Sequence, residues 1–284
     1  MKQDSPGNMG GRPPRRWRIA SYVVVLLFLI WVIAPIATVF LNSFKPATAI
    51  FTRVPDLSFT PTLEHYAGVL AQGSFPRQIL NSTIIALGAT MLSLLFGTPA
   101  AYALARIPFP GSRWWFRGFL FARMVPAVAL VAPMFVLLQQ TGLKNTYFGL
   151  MLTHTSFALP LVVWMMHSFF QELPREVEEA AVIDGASRFQ AFRLVALPLA
   201  APGLAVTAVL TIFFSWNEFL FALVLSGPAT QTVPIGVSAF VGTVSVDWGG
   251  SSAAAVIAMI PMFVIGFAIQ PFLVRGLAFG AVKG

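Results

Sequence analysis

Glu178-Glu179-Ala180-Ala181-Val182-Ile183-Asp184-Gly185 is followed, after nine further residues, by Val195-Ala196-Leu197-Pro198. This segment carries many charges of both signs, and it hangs between two very apolar runs, 147–170 and 199–225. Each run is long enough to cross a bilayer, which takes about 20 residues. A charged helix–turn–helix between two membrane helices reads as a surface that touches something in water.

Working outward, runs of the same kind recur at 19–41, 79–105, 116–138 and 252–274. Mean hydropathy is +0.79 and only 10% of residues are charged, against about a quarter in a soluble domain. Inside a bilayer every backbone polar group must be satisfied within the protein, so these runs predict an all-α integral membrane protein with six transmembrane helices. The first run follows Arg12, Arg15, Arg16 and Arg18. It exceeds the apolar core of a signal peptide, about 7–15 residues, and no small-residue cleavage site follows, so it reads as an anchor. The expected organisation is a basic, disordered tail (1–18) and a transmembrane domain (19–284). Within the latter lie the first helix (19–41), a core (76–275), the charged loop (171–198) and a C-terminal tail (276–284).

The net charge of +8 does not point to nucleic acid. With the N-terminus inside, the inner flanks hold Arg106, Arg113, Arg117, Arg175, Arg188, Arg193, Arg275, Lys283 and the basic tail. The outer flanks hold Lys45, Arg53, Arg77 and Lys144. That excess predicts a multi-pass protein of the plasma membrane with both termini cytoplasmic. Arg123, just inside the third run, is expected to snorkel to the inner edge. Cysteine is absent, which excludes disulfides and thiolate chemistry, and no metal site is expected.

In the charged loop, Pro174 suits the first helical position. Glu176, Glu178 and Glu179 favour the positive end of the helix dipole, and Gly185 can take the left-handed conformation that ends a helix. A second short helix is expected from Ser187, with Phe189, Phe192 and Val195 or Ala196 on one face. Pro198 would break it and start the fifth span. The plainest reading is a solvated connector. Against it stand a knob of small residues beside an acid, and two phenylalanines that need a neighbour, either the bundle floor or a partner. Prolines at 35, 126, 133, 160, 202, 261 and 271 fall inside the runs. They kink a bundle that serves as packing or that rocks around a cavity, and composition alone does not choose.

Here a resemblance becomes specific. Glu179-Ala180-Ala181, three residues, Gly185, nine residues, Val195, one residue, Leu197-Pro198 resembles the EAA motif of ATP-binding-cassette (ABC) importer permeases. That family usually has Ile where Val195 stands. Asn81-Ser82, Ala101-Tyr102-Ala103-Leu104-Ala105-Arg106, Gly142-Leu143-Lys144-Asn145-Thr146, Ser215-Trp216-Asn217-Glu218-Phe219 and the terminal Gly280-Ala281-Val282-Lys283-Gly284 narrow it further. Together they are similar to the smaller permease of carbohydrate importers, the one like the maltose system's second permease. The resemblance implies the type I importer permease fold and a non-catalytic subunit. It implies that Glu179, Ala180, Ala181, Asp184, Gly185, Val195, Leu197 and Pro198 dock on an ATPase dimer, and that the tail from Gly280 to Gly284 reaches between its subunits. It also implies a similar but non-identical second permease, an extracytoplasmic solute-binding protein facing loop 226–251, and a sugar or polyol substrate. No phosphate-binding G-x-x-x-x-G-K-[ST] loop occurs in the chain, so no cofactor is expected here and ATP with Mg is expected on the partner.

Among intramembrane polar groups, Asn81, Phe214, Trp216, Asn217 and Glu218 are candidates for the substrate pathway. About 20 residues at 1.5 Å each from Pro198 put Glu218 at the outer edge of the bilayer, where an interfacial carboxylate and an aromatic belt are the plainer readings. Asn81, Ser82 and Thr83 either cap their helix or line an outer vestibule. His154 and His167 lie too far apart along one helix to share a metal, and read as helix–helix contacts. Two rivals remain. A gradient-driven carrier keeps carboxylates at the midplane, where this chain has almost none, and has no use for a docking loop. An intramembrane enzyme would need a motif such as G-x-S-x-G or H-E-x-x-H, and neither occurs.

Overall fold

The computed structural model describes residues 15–50, 58–71, 73–242 and 246–281, the last eleven as backbone. Helices α1 (Arg15–Asn42), α2 (Ala47–Ile50), α3 (Glu64–Ala71), α4 (Ser74–Arg106), α5 (Ser112–Met124), α6 (Ala127–Gln140) and α7 (Tyr147–Glu172) form the first part. The second holds α8 (Arg175–Ile183), α9 (Arg188–Ala191), a π turn (Phe192–Ala196), α10 (Leu197–Leu199), α11 (Ala201–Trp216), α12 (Leu220–Leu225), α13 (Val233–Ser238) and α14 (Trp248–Ala281). Most of the expected basic tail, and Val282, Lys283 and Gly284, lie outside the described residues, whereas Gly280 and Ala281 continue the backbone of α14.

Four helices, α1, α4, α7 and α14, are long and apolar enough to cross a membrane unbroken. The other two expected spans are bent pairs of helices rather than single rods. The third is two helices, α5 and α6, bent by 96° at Val125-Pro126. The fifth enters through a 74° bend at Ala200, and α11 stops at Trp216, so that Asn217, Glu218 and Phe219 separate it from α12. Pro126 and Pro202 sit at these breaks, while Pro35, Pro133 and Pro160 stay inside continuous helices. Proline removes a backbone donor and clashes with the preceding turn. Whether a helix then breaks depends on its neighbours.

The bundle is centred on α4 and α7, with α11 packed on both, α14 on α11 and α5 on α7. On α4, Ala89, Ser93 and Gly97 recur every four residues and are buried. Small residues at this spacing let two membrane helices approach closely. A Cβ added at Gly97 would fall 2.7 Å from Val162 Cγ1 of α7. Gly97→Leu is therefore expected to cost about 1–3 kcal/mol through overpacking, seen as a lower unfolding temperature of the purified chain. An unchanged temperature would show that α4 and α7 do not meet this way. Helix α1 contacts α14 and buries none of its apolar window.

The outer ends of α4 and α7 are closed by the segment after α12. Asn81 Nδ2 donates to the carbonyls of Ala229 (3.1 Å) and Gln231 (2.7 Å), and Asn81 Oδ1 accepts from the Tyr147 hydroxyl at 2.7 Å. Ser82 Oγ accepts from Val233 N at 2.9 Å. Loop 226–251 is thus mostly folded onto the bundle, while Val241 and Trp248 near its tip stay exposed.

Candidate functional site

Helix α8 starts one residue after Pro174, which takes the cap position rather than the first helical one. Its end is a double turn: Gly185 N donates to Val182 O at 3.0 Å and Ala186 N to Ala181 O at 3.0 Å, the pairing that closes a helix on a left-handed residue. Gly185 has the left-handed conformation expected of it, φ +93°, with open space where a Cβ would stand. Ser187 and Gln190 then form a reciprocal capping box that starts α9. Two short helices thereby meet at a rigid knuckle of Asp184, Gly185 and Ala186.

The knuckle's outward side is bare. Glu179, Ala180, Asp184 and Gly185 are exposed, and so are Ile183 (84%) and Phe189 (68%). Phe189 and Phe192 are neighbours, with ring centroids 6.3 Å apart, and differ in depth. Phe192, where the π turn begins, faces inward. There it packs on Tyr102 (ring centroids 4.7 Å apart) and near Phe170, leaving Phe189 without that floor. Val195 and Leu197 are half-buried, Pro198 is exposed, and Ala196 between them is buried.

The inward side turns on a residue the sequence did not single out. Glu178, not Glu179, is the buried acid. Its Oε2 accepts from the Tyr102 hydroxyl at 2.8 Å and its Oε1 from Arg106 Nε at 2.9 Å, while Arg106 Nη2 donates to Leu173 O at 2.7 Å. Tyr102 and Arg106 lie four apart on α4, hence on one face. The end of α4 thus grips both the approach to α8 and its body. The available signal was the i, i+4 pair of hydrogen-bonding groups ending an apolar helix.

A second feature is a cavity of about 690 Å³ where α5, α6, α7 and the α11–α12 break converge. Arg123, His154, Phe214, Ser215, Glu218 and Phe221 are on its wall. Glu218 is not at the outer edge. It lies beside His154, about 10 Å down α7 from Tyr147 at 1.5 Å per residue, with His154 Nε2 3.6 Å from Glu218 Oε2. The straight count from Pro198 failed because the chain bends at Ala200 and breaks after Trp216. In the break the carboxylate turns onto the free N–H groups opening α12, accepting from Phe221 N (2.9 Å) and Ala222 N (3.0 Å). His154 Nδ1 is 2.7 Å from Ser215 Oγ, joining α7 to α11, and His167 stacks on Phe116, joining α7 to α5. Arg123 is exposed, and its guanidinium stands 5.3 Å over the Phe214 ring.

Of the residues expected along a pathway, Phe214 and Glu218 reach this cavity. Asn81 does not: it is enclosed and holds the outer loop. Trp216 does not either; at 4% exposed it packs with Val69, Phe75 and Val233 in a core cluster, which also removes it from any interfacial belt. Asn217 points outward and its amide donates to Phe213 O.

The family of binding-protein-dependent transport system inner membrane components matches residues 93–279. The trehalose transport system permease protein SugB of Mycobacterium tuberculosis is 37% identical over 281 residues, covering 97% of this chain and 100% of that protein. The trehalose/maltose transport system permease protein MalG of Thermococcus litoralis is 35% identical over 271 residues, covering 94% and 97%. In fold, the chain matches a solved bacterial ABC transporter involved in import of the acidic polysaccharide alginate, with TM-score 0.78, 23% identity and coverage of 94% and 99%.

Proposed function

The chain belongs to the family of binding-protein-dependent transport system inner membrane components, and from that premise we propose that it is the permease subunit of an ATP-driven sugar importer. The type I ABC importer permease fold and the sugar-transport names of its relatives support this reading, and the family does not favour a gradient-driven carrier. The chain itself binds no nucleotide. ATP and Mg act on a partner ATPase dimer, and a second, similar permease completes the pathway. An extracytoplasmic solute-binding protein delivers a sugar or polyol to the side of loop 226–251, and both termini face the cytoplasm of a bacterial cell.

The observation that carries the coupling role is the two-sidedness of the knuckle. Its outward face, from Glu179 to Gly185 with Ile183 and Phe189, is largely exposed polar and apolar surface. Its inward face is locked to α4 through Glu178. A push on the outward face therefore passes to α4 and, through the 74° bend, to α11, as a rigid-body device requires. Val195, Leu197 and Pro198 form the rear of that device, and the terminal residues Gly280 to Gly284 add a second contact with the ATPase. The cavity beside Glu218 is this subunit's part of the pathway. Its size falls in the range of about 300–1,000 Å³ usual for small ligands, and a carboxylate, an imidazole and a hydroxyl around aromatic faces suit a polyol.

The chain has no cysteine, so one introduced at Ile183 is a unique probe. In the assembled transporter, Ile183→Cys is expected to cross-link to the ATPase, with a yield that changes when ATP binds. Capture of lipid or the second permease alone would overturn the docking role.

A further inference from the structure

We infer that the pocket between the end of α4, the start of α5 and the end of α7 binds the phosphate headgroup of an anionic phospholipid. The pocket holds about 600 Å³ and is lined by Arg106, Arg113, Arg117, Arg175, His167 and Gln171 together with Ser112 and apolar groups. No carboxylate is on its wall. Arg106 is committed to Glu178 and Leu173. Among the described residues, Arg113, Arg117 and Arg175 make no salt bridge. Three guanidinium groups around one concavity leave positive charge that an anion neutralises, and guanidinium donates to phosphate in a bidentate fork.

The place in the fold selects a lipid over a soluble anion. Arg106 ends one spanning helix and Glu172 another, so the pocket stands at the level where headgroups lie. Helix α5 opens there with Trp114 and Trp115, 71% and 66% exposed, and Arg117 stands 5.2 Å over the Trp114 ring. Farther along α5, Phe121 and Met124 are exposed. Tryptophan and arginine at the boundary, then bare apolar surface toward the bilayer interior, are what a headgroup with its acyl chains would cover. Basic pockets between spanning helices hold lipid phosphates for this reason. The site uses none of the outward knuckle residues, so it stands or falls separately from the docking role.

The test uses the full chain in nanodiscs of phosphatidylcholine with and without a minor fraction of phosphatidylglycerol, read by native mass spectrometry of retained lipid. Wild type is expected to retain phosphatidylglycerol over phosphatidylcholine. Arg113→Gln and Arg175→Gln should each weaken retention by about fivefold, with Lys at either position restoring most of it. Arg77→Gln, at the other end of the bundle, should change nothing. Loss of all preference for phosphatidylglycerol in the wild type, or an equal effect of Arg77→Gln, would overturn the site. Displacement of the lipid by millimolar inorganic phosphate would also overturn it, in favour of a soluble anion.

Discussion

Glu178→Ala is expected to lower the stability of the folded chain by about 3–5 kcal/mol, whereas Glu179→Ala next to it should change stability by no more than about 0.5 kcal/mol. Glu178 receives the Tyr102 hydroxyl and Arg106 Nε in a place almost closed to solvent. Removing it strands a guanidinium that has already left water, and the attraction that offset its desolvation is gone. Tyr102→Phe, which removes one donor to the carboxylate, should cost less, about 1.5–3 kcal/mol. Arg106→Ala combined with Glu178→Ala should cost less than the sum of the two, because each single change strands the other partner's charge and the double change strands neither. Thermal unfolding of the purified subunit, followed by tryptophan fluorescence, reads every one of these variants. Equal effects at Glu178 and Glu179 would mean that α8 is not anchored through Glu178.

Gly185→Val should leave the chain in the membrane and lower sugar uptake by about tenfold or more. Gly185 sits at φ +93°, where a residue with a Cβ costs about 1–2 kcal/mol and a β-branched one more, and 1.4 kcal/mol is a factor of ten. Among the described residues, no atom beyond the adjoining chain lies within 4 Å of the missing Cβ. The penalty is therefore a re-aimed knuckle rather than a clash inside the bundle. Asn, which tolerates the left-handed region, separates two causes. If Gly185→Asn keeps most of the uptake that Gly185→Val loses, the backbone turn is what matters. If both lose it, the partner's groove excludes any side chain. Full uptake by Gly185→Val would overturn the role of the knuckle.

Adjacent acids illustrate how far the sequence could be read. Glu178 and Glu179 are chemically alike, and a helix one residue out of phase would exchange their roles. What selects Glu178 is the pair Tyr102 and Arg106, more than seventy residues earlier. Phe189 and Phe192 touch each other yet differ in exposure for a similar reason, since Phe192 meets Tyr102 and Phe170 from distant helices while Phe189 stays open. Glu218 was misplaced by a count that treats a span as one straight rod.

The apolar runs, the charged loop between two of them and the glycine that turns it were legible from residue order alone, because hydropathy and turn chemistry act over neighbouring residues. The directions of the breaks at Val125-Pro126 and Ala200, the burial of Glu178, and the meeting of His154 with Glu218 were decided by tertiary structure. In a membrane, hydropathy places a helix in the bilayer without saying which side faces its neighbours. That choice is made by close packing of small residues and by the need of each buried polar group for a partner.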